Sequence, residues 1–205
     1  MSRRLAICLL SWFFFPVACE REPLEVICAE WASGELVVTE VRGKQQGIDT
    51  FGQWLELASS ASVEKPVTGL KLILSRWDGS GREEITVRNA ELRLAPGGFL
   101  VLGRFPPDNL PPYADYGFEQ DFAGDLYPDA ILTVDACGVV VDTVTWKNLT
   151  SAGSWSFDGA LLPDAVANDD EKNWCVDDTP AEPSDGGTAQ AGLPGTPGKK
   201  NKECN

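Results

Sequence analysis

The sequence predicts an all-β protein built as an antiparallel β-sandwich. Three observations carry that expectation. Apolar residues recur in short runs, alternating or continuous, each the length of a strand rather than a helix. Glycine and proline are frequent, at 20 and 14 residues, and they fall between the runs as turn formers do. No segment beyond residue 19 offers a long amphipathic helix. About eight or nine short strands with such punctuation point to a sandwich or a barrel. With 43% hydrophobic residues, the 205-residue chain can bury one core of ordinary size.

The runs follow one another in order. Leu36-Val37-Val38-Thr39 is the first and Trp54-Leu55-Glu56-Leu57 the second. Leu70, Leu72 and Leu74 alternate with Lys71 and Ser75, although Ile73 breaks the polar face. Ile85-Thr86-Val87 is brief, and Leu92 and Leu94 alternate with Glu91 and Arg93. Phe99-Leu100-Val101-Leu102 is apolar on both faces, as a central strand is. Ile131-Leu132-Thr133-Val134 and Val139-Val140-Val141 flank a tight turn at Asp135-Ala136-Cys137-Gly138, the pattern of a hairpin. Thr143-Val144-Thr145-Trp146 extends its second arm, and Ser154-Trp155-Ser156-Phe157 is the last clear run.

The N-terminus reads as an export signal over residues 1–18. Arg3 and Arg4 precede an apolar run from Leu5 to Phe15, too short to span a bilayer, and Pro16 and Ala18 lead to Cys19. Val17-Ala18-Cys19 resembles the end of a bacterial lipobox, which implies a lipidated Cys19 and attachment to a membrane. Pro16 sits where that pattern prefers a branched apolar residue, and ordinary signal cleavage is the rival reading. Once Cys8 leaves with the signal and Cys19 is acylated, Cys28, Cys137, Cys175 and Cys204 remain. That is an even set for disulfides in an oxidising compartment. Cys137 in its hairpin turn is expected to pair with Cys175. Cys28 and Cys204, flanking the domain, are expected to pair with each other.

Residues 19–33 read as a tether, 34–176 as the sandwich, and 177–205 as an acidic, Pro/Gly-rich tail pinned by Cys204. One irregular stretch interrupts the sandwich. Residues 104–129 collect prolines and the aromatics Phe105, Tyr113, Tyr116, Phe118, Phe122 and Tyr127, and so long a loop is usually functional or disordered. Phe118, Phe122 and Leu126 are expected to tuck under the sandwich as a cap. Tyr113 and Tyr116, beside prolines, are expected at the surface as a ligand-binding loop.

The runs, taken in order, resemble a lamin tail domain of the bacterial, exported kind. The pieces that carry the likeness include Gly34-Glu35-Leu36-Val37-Val38-Thr39-Glu40-Val41, Gln53-Trp54-Leu55-Glu56-Leu57 and, most specific, Leu94-Ala95-Pro96-Gly97-Gly98-Phe99-Leu100-Val101-Leu102-Gly103. Gly138-Val139-Val140-Val141-Asp142-Thr143-Val144, Gly153-Ser154-Trp155-Ser156, Asn173-Trp174-Cys175 and Gly195-Thr196-Pro197-Gly198 follow in order. The likeness covers about residues 33–201. It implies an immunoglobulin-like sandwich with no shared active site, and the motifs have structural sense. Pro96-Gly97-Gly98 makes a turn needing φ > 0. Gly138 supplies a left-handed position. Trp54 and Glu56 point to one face and Leu55 and Leu57 to the other. The export signal and the acidic surface set the chain apart from nuclear lamins.

Composition narrows the chemistry. There is no histidine, which removes His-based triads and His-ligated metals. No Cys-x-x-Cys pair and no phosphate-cradling glycine loop is present. The net charge of −14, nearer −16 once Arg3 and Arg4 are lost, opposes nucleic acid as a partner. Asp169, Asp170 and Asp177 are candidate calcium ligands, set against the preferred reading of a solvated charged loop. Asn148-Leu149-Thr150 is a glycosylation sequon that a bacterial lipoprotein is not expected to use. The expected function is a non-catalytic module of the cell envelope that presents loops to a protein or glycan. The alternative is a carbohydrate-active hydrolase working through two carboxylates.

Overall fold

A computed structural model describes residues 27–47, 49, 51–178 and 195–205. The fold is all-β, with twelve strands and two short 3-10 turns among these residues. The strands are β1 (Leu36–Arg42), β2 (Trp54–Ser59), β3 (Lys65–Pro66), β4 (Leu70–Arg76), β5 (Glu83–Thr86) and β6 (Arg93–Leu94), followed by β7 (Phe99–Gly103), β8 (Tyr116–Gly117), β9 (Ala130–Ala136), β10 (Val139–Trp146), β11 (Ser154–Phe157) and β12 (Trp174–Asp177). A six-stranded sheet runs β12-β11-β1-β2-β7-β8 and a four-stranded sheet runs β10-β9-β4-β5. A small β3-β6 ladder closes one edge. Pairing is antiparallel except between β7 and β8.

The sheets pack face to face. β4 and β9 alternate as a half-solvated sheet must: Leu70, Leu72, Leu74, Leu132 and Val134 point inward and the residues between them do not. From the facing sheet come Leu36, Val38, Leu55, Leu57, Leu100 and Leu102. Every residue of β1 and β2 is buried, which alternation alone does not explain. A further layer covers their outer face, and its source is the end of the chain.

Each of the two large sheets carries one bulge. The register between β1 and β2 slips at Thr39, and that between β9 and β10 slips at Val141. Beside these slips, polar contacts bridge β1 and β10 across the two sheets. Val38 N–H donates to Asp142 Oδ2 at 2.7 Å, and Asn168 Nδ2 donates to the same oxygen at 2.8 Å and to the Val38 carbonyl at 3.2 Å. Burial raises the Asp142 carboxyl above its ordinary range, and these donors offset only part of that rise.

The hairpin between β9 and β10 forms as expected, with Cys137 at φ 53° and Gly138 at φ 87°. The cysteine pairing differs from expectation: the bonds are Cys28–Cys137 and Cys175–Cys204. The reason is where the chain ends travel. Residues 28–33 are not a loose tether. Ala29 and Trp31 are buried in the core, and Trp31 Nε1 donates to the Pro66 carbonyl at 2.9 Å. This packing carries Cys28 to the β9–β10 turn. β12 adds to the sheet beside β11, so Cys175 lies at the opposite edge, where the chain end returns to it. Residues 195–205 are therefore a packed segment within the acidic tail, pinned by Cys204 but to Cys175 rather than to Cys28. The export signal and Cys19 lie outside the described residues.

Candidate functional site

The registers give the sandwich two distinct ends. Cys28–Cys137 marks one, with the exposed hairpin residues Val139 and Val140 beside it. At the other end β4 finishes at Arg76, paired with Ala130 where β9 begins. There residues 121–128 and the facing ends of β4 and β5 line an open groove of about 570 Å³, whose walls include Arg76, Glu83, Asp121, Asp125 and Tyr127.

The loop expected to matter supplies one wall of this groove. Phe118, Phe122 and Leu126 are buried, the cap expected of them. Tyr116 is not at the surface: its parallel pairing beside Leu102 buries it, and its hydroxyl donates to the Thr86 carbonyl at 2.9 Å. Tyr113 is half-buried, its ring 5.5 Å from that of Trp54 and its hydroxyl bonded to the Phe51 carbonyl. Neither tyrosine lines the groove. Tyr127 does, with the Arg76 guanidinium 4.2 Å above its ring and its hydroxyl donating to Gly81 O at 2.9 Å.

Two groove carboxylates are already engaged. Arg88 lies 2.6 Å from Asp121, while Lys44 and Arg104 hold Asp125 at 2.9 and 2.8 Å and keep its carboxyl below the usual range. Trp77, the residue after Arg76, does not line the groove; it is 49% exposed, with Lys147 Nζ 4.0 Å from its ring centroid. Sequence reasoning passed over Arg76, Trp77 and Glu83. The signal that could have found Trp77 is its place in Arg76-Trp77-Asp78-Gly79, a turn sequence where an indole cannot be buried by its own strand.

A second polar cluster lies on the outer face of the six-stranded sheet. Glu40 and Glu56 are opposite each other on β1 and β2, and both are fully buried. Glu56 thus shares the outer face with Trp54, as alternation predicts. The segment Gly195–Asn201 crosses over them as a strap. Thr196 N–H donates to Glu40 Oε1 at 3.0 Å, and Gly198 N–H donates to Glu56 Oε2 at 2.7 Å. Thr39 Oγ donates to Glu56 Oε1 at 2.8 Å, and Ser154 Oγ donates to Glu40. Asn201 Nδ2 fastens the strap's end to the carbonyls of Thr39 and Phe157, at 2.7 and 2.9 Å. Burial pushes Glu40 up to about 7, and burial together with the charge of Glu40 pushes Glu56 well above its ordinary value. These are paired carboxylates, but their oxygens point into strap amides and strand hydroxyls rather than into a cleft.

The candidate calcium ligands do not gather. Asp169 and Asp170 are exposed in the 3-10 turns, where Asp170 accepts from Lys172 N–H, whereas Asp177 is buried in β12 opposite Ser154. Among the described residues no group of three or more Cys, Asp and Glu is placed to hold a metal ion. No helix among these residues is long and apolar enough to cross a membrane. The two disulfides are compatible with an exported protein. No protein-family model and no curated protein matches the chain.

Proposed function

We propose that this is a non-catalytic binding module of the cell envelope, a lamin-tail-type sandwich held at the membrane by lipidated Cys19. It presents its groove end to a partner. One observation carries the reading: the N-terminal segment is bolted by Cys28–Cys137 to the end of the sandwich opposite the groove. A chain anchored through residue 19 has a short link to that end, so the groove, Trp77 and the 104–129 loop face away from the lipid. Acylation at a cysteine would supply more than one chain, enough for stable attachment.

The alternative, a hydrolase using two carboxylates, draws on Glu40 and Glu56 as the buried pair. Their engagement by the strap favours a structural role, because a substrate oxygen would have to displace the amides of Thr196 and Gly198.

The test is made in the source cell. A photo-crosslinking residue at position 77 or 108 should trap an envelope component, and one at position 139 should not. Cys19→Ala should move the protein from the membrane fraction to the soluble one. Adducts formed equally from both ends, or unchanged membrane partition of Cys19→Ala, would overturn the reading.

A further inference from the structure

We infer that the Cys28–Cys137 end of the sandwich is a membrane-contact face, whose apolar tips rest in the headgroup region of a zwitterionic bilayer. The inference rests on the reading of Cys19 as the point of attachment, and adds to it that the folded domain itself touches the lipid.

The first ground is where the exposed apolar side chains fall. Among the described residues nine large apolar side chains are exposed, and seven of them lie at this end. Val139 and Val140 stand on the β9–β10 hairpin, and Ile27 is joined to its turn through Cys28–Cys137. Leu161, Leu162 and Val166 lie in the loop after β11, with Leu162 86% and Val166 79% exposed, and Val63 lies in the loop after β2. The other two stand apart: Trp77 follows β4 at the opposite end, and Val176 is in the edge strand β12. Single exposed apolar residues scattered over a surface are ordinary, whereas their collection on one face marks a contact.

The second ground is that these loops form one surface. Ser60 Oγ, in the loop of Val63, donates to the Pro163 carbonyl at 3.0 Å. Ala165 packs beside Gly34, and Gly34 N–H donates to the Val141 carbonyl in the hairpin at 2.8 Å. The outward side chains are also held there by a bonded backbone. Asp158 accepts from Ala160 N–H at 2.9 Å, and Asp164 accepts from Val166 and Ala167 N–H at 3.0 and 2.8 Å.

The third ground is the length of chain between this face and the anchor. Ile27 emerges in the face itself, and the eight steps from Cys19 to Ile27 reach at most about 29 Å. The seven residues of β9 span about 20 Å from one end of the sandwich to the other. Turning the groove end to the bilayer would therefore draw the tether almost taut, while the Cys28–Cys137 end lies flush with no extension. The net charge of −14 gives no general attraction to anionic headgroups, so the contact suits a zwitterionic surface. A few apolar tips without a basic face do not hold a protein to a bilayer unaided. The anchor supplies the residence, and the tips set the orientation.

The test anchors the mature chain through its Cys19 thiol to a maleimide-bearing lipid in phosphatidylcholine–phosphatidylethanolamine vesicles. This fixes residue 19 to the bilayer whether or not the cell acylates it, and Cys28, Cys137, Cys175 and Cys204 are closed in disulfides. An environment-sensitive fluorescent amino acid is placed at position 162, 166, 77 or 108. Nitroxide-labelled lipids should quench positions 162 and 166 at least about fivefold more than positions 77 and 108, with emission shifted to the blue. Val139→Ser with Val140→Ser should cut the quenching at 162 at least about twofold, and Trp77→Ser should leave it unchanged. Melting temperatures should hold, since these side chains are exposed, and position 166 keeps the test valid should the label at 162 disturb its loop. Equal quenching at both ends, or none at 162 and 166, sinks the proposal. So does emission at 162 that shifts with the concentration of unanchored protein, because the face then belongs to a second copy. Membrane partition of Cys19→Ala in the cell reports on the anchor alone, so a wrong contact face is distinguished from a wrong point of attachment.

Discussion

Glu40 and Glu56 face each other where no water reaches, and the consequence is a stability that depends on protons. Both carboxyls have folded-state values above the 4.5 of an ordinary glutamate, Glu40 at about 7. Groups raised in this way bind protons more tightly when folded. Their contribution is complete below about pH 4.5 and is lost as pH rises through the folded-state values, about 7 for Glu40. Asp115 and Asp142, also raised by burial, act in the same direction. Glu35, Glu84 and Asp125 are lowered by their lysine and arginine partners, so they finish titrating beneath this window and do not oppose it. The melting temperature should therefore fall by about 5–10 °C between pH 5 and pH 8. Glu56→Gln should flatten that slope, because its amide oxygen still accepts from Gly198 while its NH₂ donates to a rotated Thr39 hydroxyl. A slope unchanged in Glu56→Gln would show that the pair does not titrate in the window. Asp142 carries a separate prediction. Asp142→Ala strands the Val38 amide and the Asn168 side chain inside the sandwich and should cost about 2–4 kcal/mol, read from urea unfolding. The facing of Glu56 was legible in the sequence, because alternation along Trp54-Leu55-Glu56-Leu57 fixes it. Its burial was not, because the residues that cover it lie some 140 positions later and no local pattern points across that distance.

Among the elements, the strap is one that local patterning does not reveal and long-range bonding explains. Residues 195–201 form no strand, yet their amides satisfy two buried carboxylates and Asn201 closes over β1 and β11. Gly195 permits the approach: its φ is 123°, and side-chain atoms of Glu40, Ser154 and Trp54 crowd the place where a Cβ would sit. Cys175–Cys204 then ties the strap to β12. The strands with strong alternation or continuous apolar character were readable in order, and so was the β9–β10 hairpin. β8 and β12 were not, because each draws its order from a neighbour already in place: β8 from parallel pairing to β7, β12 from the stack of Trp174 on Trp155 at 4.1 Å. Disulfide connectivity was equally hidden, since it depends on Trp31 pulling the N-terminal segment into the core. Non-reducing peptide mapping should recover Cys28 joined to Cys137 and Cys175 joined to Cys204, and no Cys28–Cys204 species. In the chain-entropy model the 29-residue separation of the second bond is worth about 3–4 kcal/mol. Cys204→Ser should lower stability by about that much and render the amides of Thr196 and Gly198 exchangeable in hydrogen exchange, while those of β4 and β9 stay protected.

At the scale of the whole molecule, charge is the property that the sequence states most plainly and the fold modifies least. The chain carries 31 acidic and 17 basic residues, a net −14. The fold spends much of the basic complement on short ion pairs, among them Lys71–Glu84 at 2.7 Å and Arg93–Glu64 at 2.7 Å. Such pairs at the surface are worth about 0–1 kcal/mol each. What remains is an excess of carboxylates spread over the sandwich, which repel one another in the folded state more than in an expanded chain. Salt acts on both terms in opposite directions. It weakens the exposed pairs slightly, and it screens the long-range repulsion once the Debye length drops from about 30 Å at 0.01 M to about 8 Å at 0.15 M. Repulsion involves every excess charge, while each ion pair is local and weak, so repulsion dominates far from the isoelectric point. At pH 7.5 the melting temperature should therefore rise by a few degrees between 10 and 300 mM sodium chloride. Near the sequence pI of about 4.3 the net charge vanishes and the ion pairs alone respond, so the same salt step should leave the melting temperature unchanged or lower it. A rise of equal size at both pH values would mean that salt acts through preferential exclusion from the surface and not through charge.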